Sequence, residues 1–328
     1  MIFPWQTTQW QQLINSKQQN CLPHALIFLG ASGMGKKEFA HAFANSILCK
    51  QPDTTGKPCE TCHSCHMLRA NTHPDLVLVE PEQSSHIIKV DQIRETVNFV
   101  NESSQQGGYK VIIINPAHAM NINAANALLK TLEEPSPNTL FILICDPNLR
   151  LPATINSRCQ KIIFSKPDTE TALNWLRSQL NDNPHHPSLL LNLADGAPLK
   201  ARDLVASGMM TLRQDLYRGL HQLSQKQADP LQVAVQHQEA DLLTLYNLLL
   251  SWMKDLLRFK LSNGEYDLIN TDYHNEIAEL SRKIKRENML SYLECTQKSY
   301  ANIVNSLNLN RQLLLEELFI NWVRYVSC

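Results

Sequence analysis

Hydrophobic positions in the first half of the chain fall into short continuous runs separated by longer, helix-like stretches. Each run is bounded by turn-forming residues, as is typical of strands that are buried on both faces of a parallel sheet. Five segments fit this description: residues 25–29, 76–79, 111–114, 140–144 and 161–164. Their alternation with helix-like stretches predicts an α/β fold in which helices cover both faces of a parallel sheet.

The pattern changes after residue 165, where apolar residues become spaced three and four positions apart. Residues 169–180 and 188–193 predict two short helices, and residues 181–187 between them are rich in Pro, His and Asn. We interpret residues 166–207 as a small helical lid domain.

The last third of the chain has the pattern of long amphipathic helices. Residues 241–261 and 307–326 carry Leu, Trp and Phe at helical spacing, and Gly and Pro are rare in this part. The pattern predicts a packed helical bundle. The expected domains are an α/β domain (1–165), a helical lid domain (166–207) and an all-α domain (208–328).

The composition is ordinary for a globular protein, with 43% hydrophobic and 19% charged residues among 328. A net charge of −1 argues against a surface made wholly for nucleic acid, although it does not exclude a local basic patch. No apolar run reaches the roughly 18 residues of a membrane span, and the first residues lack the features of a secretory signal. We therefore expect a cytoplasmic protein that does not contact a membrane.

A glycine-rich segment follows the first predicted strand and reads Gly-Ala-Ser-Gly-Met-Gly-Lys-Lys over residues 30–37. A GxxxxGK[ST] loop binds phosphates with its backbone N–H groups and its Lys, while the Ser or Thr hydroxyl binds Mg²⁺. Four residues keep the phosphate side of this motif: Gly30, Gly33, Gly35 and Lys36. Lys37 stands where the hydroxyl belongs, and an ammonium cannot ligate a cation.

The second part of a phosphate-loop site is also altered. Active enzymes end a neighbouring strand in acidic residues that hold Mg²⁺ and polarise water, whereas here strand 110–114 is followed by Asn115 and Pro116. We therefore expect no Mg²⁺ in this site and no unaided hydrolysis, because metal-ion catalysis needs the metal. Whether ATP binds is left open, since the loop can also be a turn without a ligand.

Four of the nine cysteines cluster within residues 49–65, at Cys49, Cys59, Cys62 and Cys65. Two Cys-x-x-Cys steps that share Cys62, plus one distant thiolate, can close a tetrahedron around Zn²⁺. Four protein ligands leave no position for water, so the predicted zinc is structural. The alternatives are a redox pair, reduced thiols, or a site in which His63 or His66 replaces one cysteine.

Arg158 stands between Ser157 and Cys159, just before the last predicted strand. An isolated arginine at the end of a loop is usually a surface ion-pair partner. A guanidinium presented to another subunit can instead stabilise the charge that develops on a transferred phosphoryl group.

Several stretches together resemble the AAA+ class of bacterial clamp-loader subunits of DNA polymerase III. They are residues 24–36, residues 88–94 (IKVDQIR), residues 126–135 (NALLKTLEEP) and the Ser-Arg-Cys sequence at 157–159. The four-cysteine insertion is shared by the zinc-bearing members. The resemblance covers residues 1 to about 207, and the helical remainder fits the family's oligomerising collar, with residues 307–318 as its one suggestive stretch.

This resemblance implies membership in a ring that opens a sliding clamp and loads it on primed DNA using ATP. The altered phosphate loop matches the member that does not hydrolyse ATP and whose Ser-Arg-Cys arginine, here Arg158, enters a neighbouring subunit's ATP site. The implied partners are the ATPase subunits, the clamp-opening subunit and, through the complex, the sliding clamp and primer–template DNA. The chain would thus belong to a DNA-directed DNA polymerase holoenzyme without a polymerase site of its own.

Two other functions stay open from the sequence. The chain could be an active AAA+ ATPase with unusual metal ligands, which predicts hydrolysis by the isolated chain. It could also be a zinc-containing nucleic-acid-binding protein, for which the basic stretch RKIKR at residues 282–286 is the best feature, although such a stretch is usually a solvated helix face.

Overall fold

The computed structural model describes residues 2–82, 87–147, 149, 151–180, 185–262, 268–304 and 310–326. The chain divides into two compact units, Met1–Trp175 and Leu176–Cys328. The division into three domains at residues 165 and 207 stays a prediction. Within the described ranges, no helix is both long and apolar enough to cross a membrane.

The first unit alternates strands and helices. Its strands are β1 (Ala25–Gly30), β2 (Leu76–Val79), β3 (Lys110–Ile114), β4 (Thr139–Cys145) and β5 (Gln160–Phe164). Its helices are α1 (Thr7–Gln18), α2 (Lys36–Leu48), α3 (His63–Arg69), α4 (Val90–Asn101), α5 (Ile122–Glu133) and α6 (Ala153–Asn156), and α7 (Thr169–Gln179) begins in it. Short 3-10 helices cover Pro4–Gln6 and Ala117–Ala119.

The five strands are parallel and lie in the order β2-β3-β4-β1-β5. The three central strands, β1, β3 and β4, are buried almost throughout, whereas the edge strands β2 and β5 are partly exposed. Burial on both faces explains why the central strands read as continuous apolar runs. The predicted strands and the predicted α/β fold with a parallel sheet are confirmed.

The pairing register defines two opposite edges of this sheet. Gly30, at the end of β1, pairs with Phe164 at the end of β5, and Leu26, near the start of β1, pairs with Gln160 at the start of β5. Residues that follow a strand therefore lie at the carboxyl edge, and residues that precede a strand lie at the amino edge.

Apolar side chains fill both faces of the sheet. On one face, residues of α4 and α5 join those of the central strands in a single buried cluster. On the other face, Phe39 of α2 packs on Phe28 and Phe164, with ring centroids 5.4 and 5.0 Å apart. These contacts hold α2, and with it the loop that leads into α2, against β1 and β5.

The second unit is all-helical in the residues described. Its helices are α8 (Pro187–Leu193), α9 (Pro198–Ala206), α10 (Met209–Ser224), α11 (Pro230–Gln236), α12 (Leu242–Ser262), α13 (His274–Lys283), α14 (Arg286–Val304) and α15 (Arg311–Tyr325), with a 3-10 helix at Thr271–Tyr273. They pack around leucines and the buried rings of Trp252, Tyr292 and Trp322. The predicted helical bundle is confirmed.

The individual helix predictions also agree with the structure. The segments predicted from residues 169–180 and 241–261 correspond to α7 and α12. The segment predicted from residues 307–326 contains α15, and residues 307–309, which include the start of its suggestive stretch, lie outside the described residues. Of the predicted break at 181–187, residues 181–184 also lie outside them.

Candidate functional site

The glycine-rich loop joins β1 to α2 at the carboxyl edge of the sheet. Gly33 and Gly35 have φ values of +81° and +80°, in the left-handed region that favours glycine. A Cβ at Gly35 would lie 2.5 Å from the Phe3 ring. Gly33 and Gly35 are thus required by the tight turn itself, whether or not a phosphate binds.

The N-terminal segment covers this loop. Trp5 Nε1 donates a hydrogen bond to the carbonyl of Met34 at 3.1 Å, and Gln6 Nε2 donates to the carbonyls of Met34 and Gly35 at 2.9 Å each. The Phe3 and Trp5 rings stack with centroids 5.0 Å apart directly beside the loop. The carbonyls of Met34 and Gly35 are therefore satisfied within the protein, and aromatic rings lie beside them.

Lys36 is folded back onto its own loop. Its ammonium donates hydrogen bonds to the carbonyls of Gly30 and Ala31, the latter at 2.8 Å, and the residue is only 8% exposed. Burial lowers the pKa of Lys36, while the Asp146 carboxylate opposes part of this change. The side chain that would bind outer phosphates is thus engaged with backbone oxygens.

The position that would hold Mg²⁺ is filled by an internal ion pair. Lys37 Nζ lies 2.6 Å from Glu80 Oε1, and Asn115 Nδ2 donates to the same oxygen at 2.8 Å. Burial alone would raise the pKa of Glu80, but the hydrogen bonds from Lys37 and Asn115 lower it below its usual value. The carboxylate is therefore already neutralised by Lys37.

Reasoning from the sequence missed Glu80 because it considered only the residues that follow β3. Glu80 follows the neighbouring strand β2, whose last residue, Val79, pairs with Ile114 of β3. The ends of adjacent parallel strands meet at one edge, so a carboxylate after β2 can replace one after β3. The position of Glu80 directly after a predicted strand was therefore the sequence signal that could have identified it.

The four predicted metal ligands come together. Cys49 follows α2, Cys59 and Cys62 precede α3, and Cys65 lies in the first turn of α3. Their sulfur atoms all lie within 4.8 Å of one another, with 3.5 Å between Cys49 and Cys59 and 3.9 Å between Cys59 and Cys65. Gly56, with a φ of +81°, makes the turn that returns the chain to Cys49.

This geometry fits a tetrahedral thiolate site. Four sulfurs about 2.3 Å from one zinc ion would be about 3.8 Å apart, close to the separations observed. Hydrogen bonds from Thr61 lower the pKa of Cys59 to about 6, which favours the thiolate that binds metals, whereas burial raises the pKa of Cys65. Among the residues described, the cluster contains four cysteines and neither His63 nor His66. The cluster could hold a metal ion.

A buried chain of hydrogen bonds ties the cysteine segment to the sheet. Ser64 Oγ donates to the carbonyl of Leu48 at 2.7 Å and lies 2.8 Å from His73 Nε2, and His73 Nδ1 accepts from the Asp75 amide at 3.1 Å. The Asp75 carboxylate accepts from the Gln105 amide at 2.8 Å. Ser64, His73 and Asp75 are nearly inaccessible. The trio therefore fixes the fold, and sequence reasoning did not identify it.

Arg158 lies at the amino edge of the sheet, two residues before β5. Its Nη1 donates to the Thr154 carbonyl at 2.8 Å and to Ser157 Oγ at 3.2 Å, and its Nη2 forms an ion pair with Glu133 at the end of α5. Its side chain is 32% exposed. The ion pair expected of a loop arginine is therefore present.

The register separates Arg158 from the glycine-rich loop. Arg158 precedes Gln160, which pairs with Leu26, whereas the loop begins at Gly30, which pairs with Phe164. The length of β5 between these points is about 13 Å, at about 3.3 Å per residue. The structure thus brings the residues of the glycine-rich loop together and the four cysteines together. It places Arg158 at the amino edge of the sheet, opposite the glycine-rich loop.

Comparison with known proteins identifies the family. The family described as "DNA polymerase III, delta subunit" matches residues 5–168, and "DNA polymerase III, delta subunit, C terminal" matches residues 207–324. The chain is 37% identical to DNA polymerase III subunit delta' of Pseudomonas aeruginosa (98% of this chain, 97% of the relative) and 31% identical to that of Haemophilus influenzae (96% and 94%). It is 29% identical to that of Escherichia coli (99% and 96%). The chain belongs to the family of DNA polymerase III delta' subunits, as the sequence resemblance predicted.

Proposed function

We propose that this chain is a clamp-loader subunit that does not hydrolyse ATP itself and supplies Arg158 to the ATP site of a neighbouring ATPase subunit. It would act in a ring that also contains a clamp-opening subunit and that loads a sliding clamp onto primed DNA. The family membership and the Ser-Arg-Cys sequence at 157–159 support this role.

The observation that carries the proposal is the position of Arg158 relative to the glycine-rich loop. The two lie beyond opposite ends of β5, about 13 Å of strand apart, so Arg158 cannot reach a phosphate bound at its own loop. A partly exposed guanidinium at the far edge suits a phosphate that a neighbouring subunit brings to it.

The chain's own loop is poorly suited to hydrolysis. Lys37 contributes a positive charge where a magnesium ligand is needed, and Asn115 supplies no charge to neutralise a dication. Glu80 would have to leave Lys37 before it could bind a cation. Lys36 would likewise have to leave the carbonyls of its own loop before it could bind a phosphate.

The test is reconstitution with the candidate ATPase subunits, the clamp-opening subunit, clamp and primed DNA. Arg158→Ala should lower ATP turnover at the completed site by roughly 10³-fold or more, the scale of a lost arginine finger. Arg158→Lys should stay impaired, because Lys lacks the planar fork that binds a phosphoryl group. Arg94→Ala, which removes an exposed arginine paired with Asp91, is the matched control and should have no effect.

An assembled complex in which Arg158→Ala turns over ATP like wild type would contradict the proposal. The isolated chain gives a second check, since an active ATPase would hydrolyse ATP alone and lose that activity in Lys36→Ala. Tight, salt-sensitive DNA binding by the isolated chain would instead favour the nucleic-acid-binding alternative.

The basic stretch that motivated the DNA-binding alternative lies at a helix junction. Arg282 and Lys283 end α13, Ile284 is 2% exposed in the core, and Lys283 pairs with Glu279 at 2.5 Å. A junction that buries its central residue and pairs one of its cations offers a weaker nucleic-acid surface than an open basic helix. We therefore keep the clamp-loader function as the conclusion.

We further propose that the four-cysteine cluster holds one structural zinc ion. Sulfur separations close to those of a tetrahedral site support this assignment, and four protein ligands leave no open position for catalysis. Elemental analysis of untagged protein should find one zinc per chain. Cys62→Ser should lose it, whereas Cys21→Ser, an exposed cysteine outside the cluster, should keep it. Wild-type protein without stoichiometric zinc would refute the assignment.

A further inference from the structure

The guanidinium of Arg158 is held by partners within its own unit. Nη1 donates to the Thr154 carbonyl in α6 and to Ser157 Oγ just after this helix, and Nη2 pairs with the Glu133 carboxylate. Among the residues that the structure describes, Nε has no hydrogen-bond partner. Within the described part of the chain, Glu133 is thus the only charged group that forms an ion pair with Arg158, and its other acceptors are neutral.

Glu133 is the last residue of α5, with a side chain that is 49% exposed. A carboxylate at this position faces the negative end of the helix dipole, which is unfavourable, and the ion pair with Arg158 offsets that repulsion. The adjacent Glu134 carries the same charge but makes no side-chain bond within the described ranges. The interaction therefore depends on the position of Glu133 rather than on general negative charge.

The carboxylate and a phosphoryl group compete for the same cation. Both accept hydrogen bonds from a guanidinium in the same forked geometry, and both are negative, so they repel one another when they share it. A phosphate that arrives from a neighbouring subunit must therefore displace Glu133 from Nη2 or bind a cation whose charge is already partly neutralised.

We propose that Glu133 is a positioning residue that restrains Arg158 through their ion pair, so that Arg158 becomes available to a neighbour's nucleotide phosphate only when that phosphate displaces the carboxylate. This inference rests on the proposed role of Arg158 in trans. The restraint is weak because both side chains are partly exposed to solvent. Ion pairs of this kind change equilibria by about two- to fivefold.

The first arm of the test uses the isolated chain and needs no partner. Phenylglyoxal modifies accessible guanidinium groups, and peptide mass spectrometry reports the rate at Arg158. Glu133→Gln should raise this rate by about two- to fivefold, because the neutral amide holds the guanidinium less strongly. Glu134→Gln is the matched control and should leave it unchanged, and the rate at Arg94 serves as an internal standard.

The second arm uses the reconstituted complex. Glu133→Gln should raise ATP turnover in the absence of clamp and DNA by about two- to fivefold and so reduce the stimulation that they give. The effect should disappear when Arg158→Ala is present, because Glu133 acts only through that residue. If Glu133 had only a structural role, Glu133→Gln would still change ATP turnover when combined with Arg158→Ala.

The outcomes separate the inference from the function on which it rests. If Arg158→Ala does not lower turnover, the proposed function fails whatever the modification rates are. If Arg158→Ala lowers turnover but Glu133→Gln leaves either the modification rate or the basal turnover unchanged, the restraint is wrong. A fall in turnover in Glu133→Gln would also overturn it, since Glu133 would then orient Arg158 productively.

Discussion

Lys36 and Arg158 are both cations with a geometry suited to phosphate, yet their surroundings differ. Lys36 is 8% exposed and donates to the backbone carbonyls of its own loop, whereas the Arg158 side chain is 32% exposed and pairs with a carboxylate that is itself half exposed. A backbone carbonyl cannot leave without moving the loop, but an exposed carboxylate can change rotamer. The first cation therefore stabilises the fold, and only the second is easily released.

The loop around Lys36 resembles a packed core more than an open binding site. Trp5 and Gln6 bind its carbonyls, and the Phe3 ring lies against Gly35. Among the residues described, the Arg158 side chain has only local hydrogen-bond partners, at Thr154 and Ser157, besides Glu133. The glycine-rich loop is thus part of the packed architecture, whereas the Arg158 guanidinium at the other edge is held by partly exposed groups.

The largest expected effect tests whether the loop is packed. Gly35→Ala should lower the free energy of unfolding by about 2–5 kcal/mol, because the new Cβ adds left-handed backbone strain and a clash with Phe3. Gly208→Ala is the control: Gly208 also has a positive φ, but nothing lies within 4 Å of its Cβ position. It should cost only about 1–2 kcal/mol. Urea unfolding of both variants measures the difference.

Equal losses of unfolding free energy in the two glycine variants would contradict the interpretation that the loop is packed. They would mean that Phe3 moves aside without cost and that the space beside the loop is open to a ligand.

A smaller effect compares the two cations directly. Lys36→Met keeps the apolar stem but leaves the buried carbonyls of Gly30 and Ala31 without their donor, so it should cost about 1–3 kcal/mol of unfolding free energy. Arg158→Met removes an exposed pair and should cost less than about 1 kcal/mol. The two variants can be compared in the same denaturant series.

The opposite ranking would contradict our interpretation. If Arg158→Met destabilised the protein more than Lys36→Met, Arg158 would be a structural residue, and its proposed availability to a neighbouring subunit would lose its physical basis.

Much of this fold could be predicted because its signals are local. The central strands are buried on both faces, so each leaves a continuous apolar run such as residues 111–114. The spacing of Cys59, Cys62 and Cys65 likewise reports a tight turn followed by one helical turn, which brings thiols together whatever the rest of the chain does. In both cases the pattern that permits the prediction lies within one short segment of sequence.

The partners of the two cations could not be predicted in this way. Glu80 reaches Lys37 because β2 lies beside β3, and Glu133 reaches Arg158 because the end of α5 meets the turn after α6. Both contacts depend on strand order and helix placement. The position of Arg158 at the amino edge also required the register of β1 and β5. Long-range topology, rather than residue type, thus decides which charges meet.

The smallest effect concerns the pH dependence of stability. Burial lowers the pKa of Lys36 below its value of 10.5 in the unfolded chain, so between the two values the unfolded chain holds a proton that the folded chain has lost. Stability from this group therefore rises with pH across that window and does not change with pH well below it. The gap in unfolding free energy between wild type and Lys36→Met should therefore widen as the pH approaches 10.5. Urea unfolding of both proteins at several alkaline pH values measures this gap. A Lys36→Met gap that stayed flat would mean that the ammonium is hydrated, that the loop is open to water, and that the two cations differ less than their contacts indicate.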